Sequence, residues 1–415
     1  MPDTIQLFDQ KQVSELAVTI RNAGIAGAGG AGFPTYAKWE RIDEVDALMV
    51  NHQESEPNYA IDKWLGQQRA DDLGRLFEAL LDRAIDLVVI GAKEVDRAEW
   101  MGQLESATDA TVYRPDDLPI DAENESGVVI AYTDDIYQLG MESVLLNKVA
   151  DVILGQDLPM DHGWIVQNTE TLVSIHDALL ENKPMTRKYV HVDGNGTRHR
   201  FLEVPIGTPG ADLLEAGGLS PAALPEDAVL ADGGPGWCFE IEEDPDEFGV
   251  RKRTNCVLTL DRETVDAHTF GNDRIDVQQV TSWKEGDHET EPSATLEPAV
   301  VHIPLITNPA FEGIVQPSQP IVREGDAVSN GEMIAVPAPE GISIPQHASM
   351  QGEVIEVTEH RITIRSTAAN LETGRRTVIE ASDRLYWTWC QECGEYVIPD
   401  QTVVDPRTYV CDDCQ

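Results

Sequence analysis

The chain has 415 residues, with 74 Asp and Glu against 30 Lys and Arg, and a formal net charge of −44. At roughly 100–200 residues per domain this length predicts several domains, and a hydrophobic content of 41% is enough for real cores, which excludes wholesale disorder. The shortage of basic residues excludes a surface that neutralises nucleic-acid phosphates. No apolar run approaches the roughly 18–20 residues that span a bilayer. The amino terminus (MPDTIQLFDQKQ) has no basic segment followed by an apolar one, so no secretory signal is expected and the protein is read as cytoplasmic. The acids are spread along the chain, and only nine residues are lysine. Such a surface suits a molar-salt cytosol, in which repulsion is screened within about 3 Å, and it is read as halophilic.

In chain order, Gln12 to Asn22 repeats apolar residues at helical spacing. Ala47 to Asn51 (ALMVN) and Asp86 to Gly91 (DLVVIG) are short buried-strand runs, separated by an amphipathic helix over Asp71 to Ala84. Gly127 to Tyr132 and Gly163 to Gln167 are further strands. This alternation predicts an α/β sandwich with a largely parallel sheet over residues 1–182. Lys188 to Asp193, the turn Gly194-Asn195-Gly196 and Arg198 to Val204 read as a hairpin. A short helix over Pro209 to Glu215 and a strand before Gly233-Gly234-Pro235 complete a β-grasp-like α+β module at 186–265. DGNGT at Asp193 to Thr197 lacks calcium-loop spacing, so the turn reading is preferred. Residues 266–297 are polar, without cysteine, and read as a linker. Residues 298–370 form an all-β unit whose phrase from Val322 to Ala335 is that of barrel-sandwich, lipoyl-like domains. No lysine follows Lys284, so this unit carries no lipoate or biotin and is read as structural or as a docking surface. The fold class is α/β and multidomain.

Cys390, Cys393, Cys411 and Cys414 form C-x2-C-x17-C-x2-C at 385–415, a spacing that in a cytosolic protein signals a metal. A closed zinc ribbon is expected, with a rubredoxin-like iron site as the alternative; the spacing does not suit an iron–sulfur cluster. Cys238 and Cys256 read as small buried residues. The ten histidines contain no H-x-x-x-H pair, and no hydrolase or NTPase loop is present.

Gly27-Ala28-Gly29-Gly30-Ala31-Gly32 satisfies G-x-G-x-x-G, but a helix pattern precedes it where a dinucleotide fold requires a strand. Phe33, Pro34 and Trp39 argue against a flexible spacer. A loop whose N–H groups cradle a phosphate or a flavin remains, with Lys38 as a nearby point charge. Asn51-His52-Gln53-Glu54-Ser55-Glu56-Pro57 follows a strand, where open α/β sheets bind ligands.

Gly27 to Lys38 (GAGGAGFPTYAK) followed by N-x-x-E-x-E-P resembles the flavin site of the 51 kDa-type subunit of respiratory complex I. It is more similar still to the C subunit of Rnf electron-transport complexes and to the related corrinoid reductase of propanediol use. Tyr137 to Glu142 (YQLGME) resembles the second acidic flavin loop, and Val166 to Leu172 (VQNTETL) the asparagine-bearing loop. EVPIGT at Glu203 to Thr208 and Gly233-Gly234-Pro235 resemble the soluble-ligand-binding β-grasp domain. The barrel-sandwich unit lies at the carboxyl end, as in the corrinoid reductase.

The resemblance implies FMN as cofactor and NAD(P)H as substrate. Gly27, Gly29, Gly30 and Gly32 would wrap the FMN, with Lys38 near its phosphate. Asn51 and Glu54 would face the isoalloxazine or ribityl edge, and Asn168 with Thr171 would close the other side. Phe33 would stack on the nicotinamide. Glu56, and Glu142 beside Gly140, would bind the ribose region of NADH. Hydride would pass to FMN and electrons on to a protein or membrane partner at the inner face of the membrane. Relatives place iron–sulfur cysteines after the β-grasp domain and this chain does not, so a non-catalytic scaffold or ligand-binding subunit is the competing expectation.

Overall fold

Runs such as LMV and LVVI become strands because both faces of the sheet they enter are covered, so every position is buried. In the computed structural model, which describes residues 13–280, 283, 287–311, 313–367 and the short strands Thr388–Trp389 and Tyr396–Val397, these runs are β1 (Ala47–His52) and β2 (Leu87–Lys93). With β3 (Thr111–Tyr113), β4 (Gly127–Thr133) and β5 (Trp164–Asn168) they form one sheet in the order β3-β4-β2-β1-β5. Every pairing in it is parallel.

Alternate strand residues enter two cores. Leu48, Val50, Val88 and Ile90 pack with Leu16 and Ile20 of α1 (Val13–Asn22), Leu65 of α2 (Ile61–Gln68), Phe77 and Leu80 of α3 (Ala70–Leu81) and Leu172 of α5 (Thr169–Glu181). Met49, Val89 and Val129 pack on the opposite face against Leu145, Leu146 and Val149 of α4 (Glu142–Ala150). The three-layer arrangement is the one expected from the alternation. The expectation did not contain α2, α5 or β3, whose periodicity is short or masked by polar residues.

The second unit is a mixed sheet in the order β11-β7-β6-β10-β8-β9. It is built from β6 (Arg187–Gly194), β7 (Arg200–Pro205), β8 (Ala228–Gly234), β9 (Trp237–Glu240), β10 (Cys256–Asp261) and β11 (Ala294–Thr295), with α6 (Gly210–Ala216) lying between β7 and β8 in the chain. β6 and β7 form the expected antiparallel hairpin, and β10 enters parallel to β6.

The stretch 266–297 is not a detached linker. After α7 (Arg262–His268), Ile275, Val277 and Trp283 enter the core beneath β8 and β10. Trp283 Nε1 donates to the Val277 carbonyl at 2.9 Å, and β11 pairs parallel with β7. Three apolar anchors spaced among acids are too sparse for a periodicity argument, yet each fills a pocket.

Residues 300–366 form two small sheets, β12-β18-β17-β14 and β13-β15-β16, around a core that includes Val301, Ile303, Ile334, Val354, Ile362 and Ile364. Here β12 is Val300–Pro304, β13 Gln319–Pro320, β14 Ala327–Val328, β15 Met333–Val336, β16 Gln346–His347, β17 Gly352–Val357 and β18 Arg361–Ser366. The four terminal cysteines lie outside the described residues. No described helix is long and apolar enough to cross a membrane.

Candidate functional site

β2 and β5 pair with opposite edges of β1, so the strand order reverses at β1. The crevice beyond the carboxyl ends of strands at such a reversal is where open α/β sheets bind ligands. A cleft of about 470 Å³ lies there, within the size range of small-molecule sites.

The glycine loop forms one wall. The Gly27 N–H donates to the Phe33 carbonyl at 2.9 Å and the Gly32 N–H to the Gly27 carbonyl at 3.0 Å, closing the loop on itself. The Ala28 N–H donates to Thr171 Oγ1 at 3.0 Å, tying the loop to α5. Gly30 (φ 97°) and Gly32 (φ 64°) hold the left-handed backbone that glycine tolerates. A side chain at Gly29 would fall 3.0 Å from Asn168 Cγ. The N–H groups of Gly29, Gly30 and Ala31 donate to no other described residue, and all three residues line the cleft.

The segment after β1 forms the floor. Asn51 Nδ2 donates to the Gly140 carbonyl at 2.8 Å, joining the two acidic loops. Glu54 sits at φ 39°, a conformation that costs a non-glycine residue about 1–3 kcal/mol and is held only by its surroundings. Its Oε2 accepts the Asp62 N–H at 2.6 Å and the Lys63 N–H at 3.4 Å, at the amino end of α2. Burial raises the Glu54 carboxyl against the pull of Lys63 and those N–H groups. Glu56 Oε1 accepts the Tyr137 hydroxyl at 2.6 Å, and Oε2 accepts the Gly236 N–H at 2.8 Å. Burial pushes its carboxyl up to about 7 despite both bonds. Asn168 caps α5 through the Thr171 N–H (3.3 Å), and its Nδ2 donates to Asp62 Oδ2 at 2.6 Å. Burial, with the charges of Glu54 and Glu170, lifts the Asp62 carboxyl well above the usual range.

The remaining walls come from the other two units: Gly234, Trp237 and Arg253 from the second, and Asn308 and Phe311 from the third. Asn308 Nδ2 donates to the Ala31 carbonyl at 2.7 Å, holding the glycine loop from the carboxyl-terminal side. The all-β unit, expected to be structural or a docking surface, therefore takes part in the cleft.

The structure brings Gly29, Gly30, Asn51, Glu54, Glu56, Gly140 and Asn168 to one cavity. Other expected residues lie elsewhere. Lys38 Nζ pairs with Glu142 Oε2 at 2.6 Å and donates to the Val166 carbonyl at 3.1 Å, and neither Lys38 nor Glu142 lines the cleft. The Phe33 ring packs edge-on against Phe311, with centroids 5.6 Å apart, and is not a lining residue. Gly27, Gly32 and Thr171 shape the loop from behind. The sequence reading missed Asp62, Tyr137, Arg253 and Asn308. Tyr137 opens the YQLGME phrase, so a signal for it existed; Arg253 and Asn308 arrive from units whose placement no local pattern encodes.

Residues 20–177 match the family described as the Nuo51 FMN-binding domain, and residues 287–381 match the RnfC barrel sandwich hybrid domain. The C subunit of the ion-translocating oxidoreductase complex of Pseudomonas aeruginosa is 32% identical over 247 residues, covering 58% of this chain and 29% of that protein. Cobalamin reductase PduS of Citrobacter freundii is 29% identical over 231 residues, covering 55% of this chain and 46% of it. PduS of Salmonella typhimurium is 31% identical over 228 residues, covering 53% and 45%. The chain thus spans less than half the length of each of these relatives. With both matched domains on one chain, the protein resembles the Rnf C subunit and the complex I 51 kDa FMN-binding subunit, in the order FMN-binding domain then barrel sandwich hybrid domain.

Proposed function

We propose that this chain is the NAD(P)H-oxidising, FMN-binding subunit of an electron-transfer assembly and passes electrons to a protein or membrane partner. The observation that carries the reading is the cleft at the β1 switch point, which Gly29, Gly30 and Ala31, with N–H groups that have no described partner, line together with Asn51, Glu54, Glu56 and Asn168. FMN fits the residues present. The glycines leave backbone donors open to an anion, and Gln53 Nε2 and Ser55 Oγ are buried without a partner in residues that line the cleft. Unpaired donors of this kind beside the cleft are ones that a polar ligand edge could satisfy.

FMN, when bound, supplies a two-electron acceptor that can release electrons singly. The chain's own work is orientation. Asn51 and Asn168 are locked by the Gly140 carbonyl and by Asp62. Glu56, fixed by Tyr137 and Gly236, offers a carboxylate to ribose hydroxyls. Holding donor and acceptor rings in register needs no acid or base at the reacting atoms. The hairpin, the helix α6 that follows it and the central parallel pair of the second sheet support a β-grasp reading of that unit.

A visible spectrum of the full chain purified in molar KCl, before and after NADH, tests the proposal. Flavin bands that bleach are the expected result. A colourless protein that takes up no added FMN would reject it and leave the scaffold reading.

For the terminal cysteines we propose one tetrahedral zinc, with iron as the alternative. Metal analysis of the full chain is expected to give about one zinc per chain, lost in the Cys390→Ser/Cys393→Ser variant. Iron with a red thiolate absorbance would select the alternative, and a metal-free chain would refute both.

A further inference from the structure

We infer that Arg253, contributed by the second unit, is the cation that recognises the phosphate ester of the ligand in the cleft. This deepens the FMN and NAD(P)H reading and rests on it. The resemblance gives the phosphate to Lys38, but Lys38 is engaged by Glu142 and the Val166 carbonyl and does not line the cavity. Arg253 lines the cavity, is only 8% exposed, and leaves its buried Nε without a hydrogen-bond partner. Its Nη2 pairs with Asp232 Oδ2 at 2.9 Å, which fixes the guanidinium at one end. Its Cβ approaches the glycine loop so closely that a side chain at Gly32 would meet it at 3.0 Å.

A buried guanidinium with an unused donor is costly unless something fills that donor. The same cavity is lined by Gly29, Gly30 and Ala31, whose N–H groups have no described partner and can serve an anion. Arginine's fork matches phosphate oxygens where a lysine supplies only a point charge.

The shared chemistry is a phosphate ester, either the FMN monophosphate or the diphosphate of the dinucleotide, and titration separates the two. The full-length apoprotein is titrated with FMN, riboflavin and NADH. The proteins compared are wild type, Arg253→Gln, Arg253→Lys and the double variant Arg253→Gln/Asp232→Asn, which leaves no unpaired buried carboxylate. Arg253→Gln is expected to weaken FMN about tenfold or more while riboflavin moves less than about twofold. Arg253→Lys should fall between, and the double variant should match Arg253→Gln. Unchanged riboflavin binding also shows that the variants are folded. If FMN is unmoved and NADH weakens by that factor, the anion is the dinucleotide's diphosphate and the assignment of Arg253 stands. Equal losses of FMN and riboflavin in the double variant, or no change in any ligand, would overturn it. A wild type that binds neither flavin nor NADH rejects the functional reading itself, and this assignment with it.

Discussion

Lys188→Met should destabilise the folded chain by about 3–5 kcal/mol, the usual cost of removing one partner from a buried ion pair. Lys188 on β6 is fully buried, and its Nζ donates to Glu170 Oε2, to Asn255 Oδ1 at 2.7 Å and to the Tyr189 carbonyl at 3.3 Å. Glu170 belongs to α5 of the first unit, so the pair crosses the junction under the cleft. Burial already raises the Glu170 carboxyl, and Lys188 opposes that rise. Without the ammonium, Glu170 becomes an uncompensated buried charge beside Asp62, whose own carboxyl is raised by burial and its acidic neighbours. The variant should therefore regain stability as pH falls and Glu170 takes up a proton. Lys188→Met/Glu170→Gln should restore most of the loss at neutral pH. Urea unfolding of the three proteins at two pH values reads both effects; a single variant with the wild-type midpoint would refute the assignment.

The affinity for NADH should rise with pH through about 7, and Glu56→Gln should abolish that dependence while weakening binding about tenfold or more, the loss of a charged hydrogen bond. Burial lifts the Glu56 carboxyl from 4.5 to about 7, against the Tyr137 and Gly236 donors that favour the anion. Only the anion is a full acceptor for ribose hydroxyls, so binding strengthens as Glu56 loses its proton. Stability runs the opposite way. The folded value lies above the unfolded one, so the contribution of Glu56 is complete below about 4.5 and is lost as pH rises through about 7. Ligand titration across pH 5–9 should thus show a rising slope in wild type that is absent in Glu56→Gln, and the stability of wild type relative to Glu56→Gln should fall as pH rises from about 4.5 through about 7. A wild type whose NADH affinity is flat across that range would remove Glu56 from the binding role.

Much of the first unit was legible because its physics is local. ALMV and LVVI are short apolar runs that suit a strand covered on both faces, and GAGGAG suits a loop with left-handed positions, as Gly30 and Gly32 show. The segment Asn51 to Glu56 lies at the cleft because a strand's carboxyl end is a fixed direction in a parallel sheet. Roles expected of long side chains transferred less well. Lys38 and Glu142 are 104 positions apart in sequence, and nothing local says that they meet each other before they meet a ligand.

The sequence by itself determined the strand and helix alternation, the glycine loop with its acidic companion, and a surface dominated by carboxylates, because each depends on residues close together in the chain. Only the tertiary structure decided what closes the cleft. Arg253 and Asn308 reach the glycine loop from two later units, and Ile275, Val277 and Trp283 turn a polar stretch into part of a core. Those outcomes depend on how separately folded surfaces dock, and docking is set by shape and burial across hundreds of residues, which no local periodicity records.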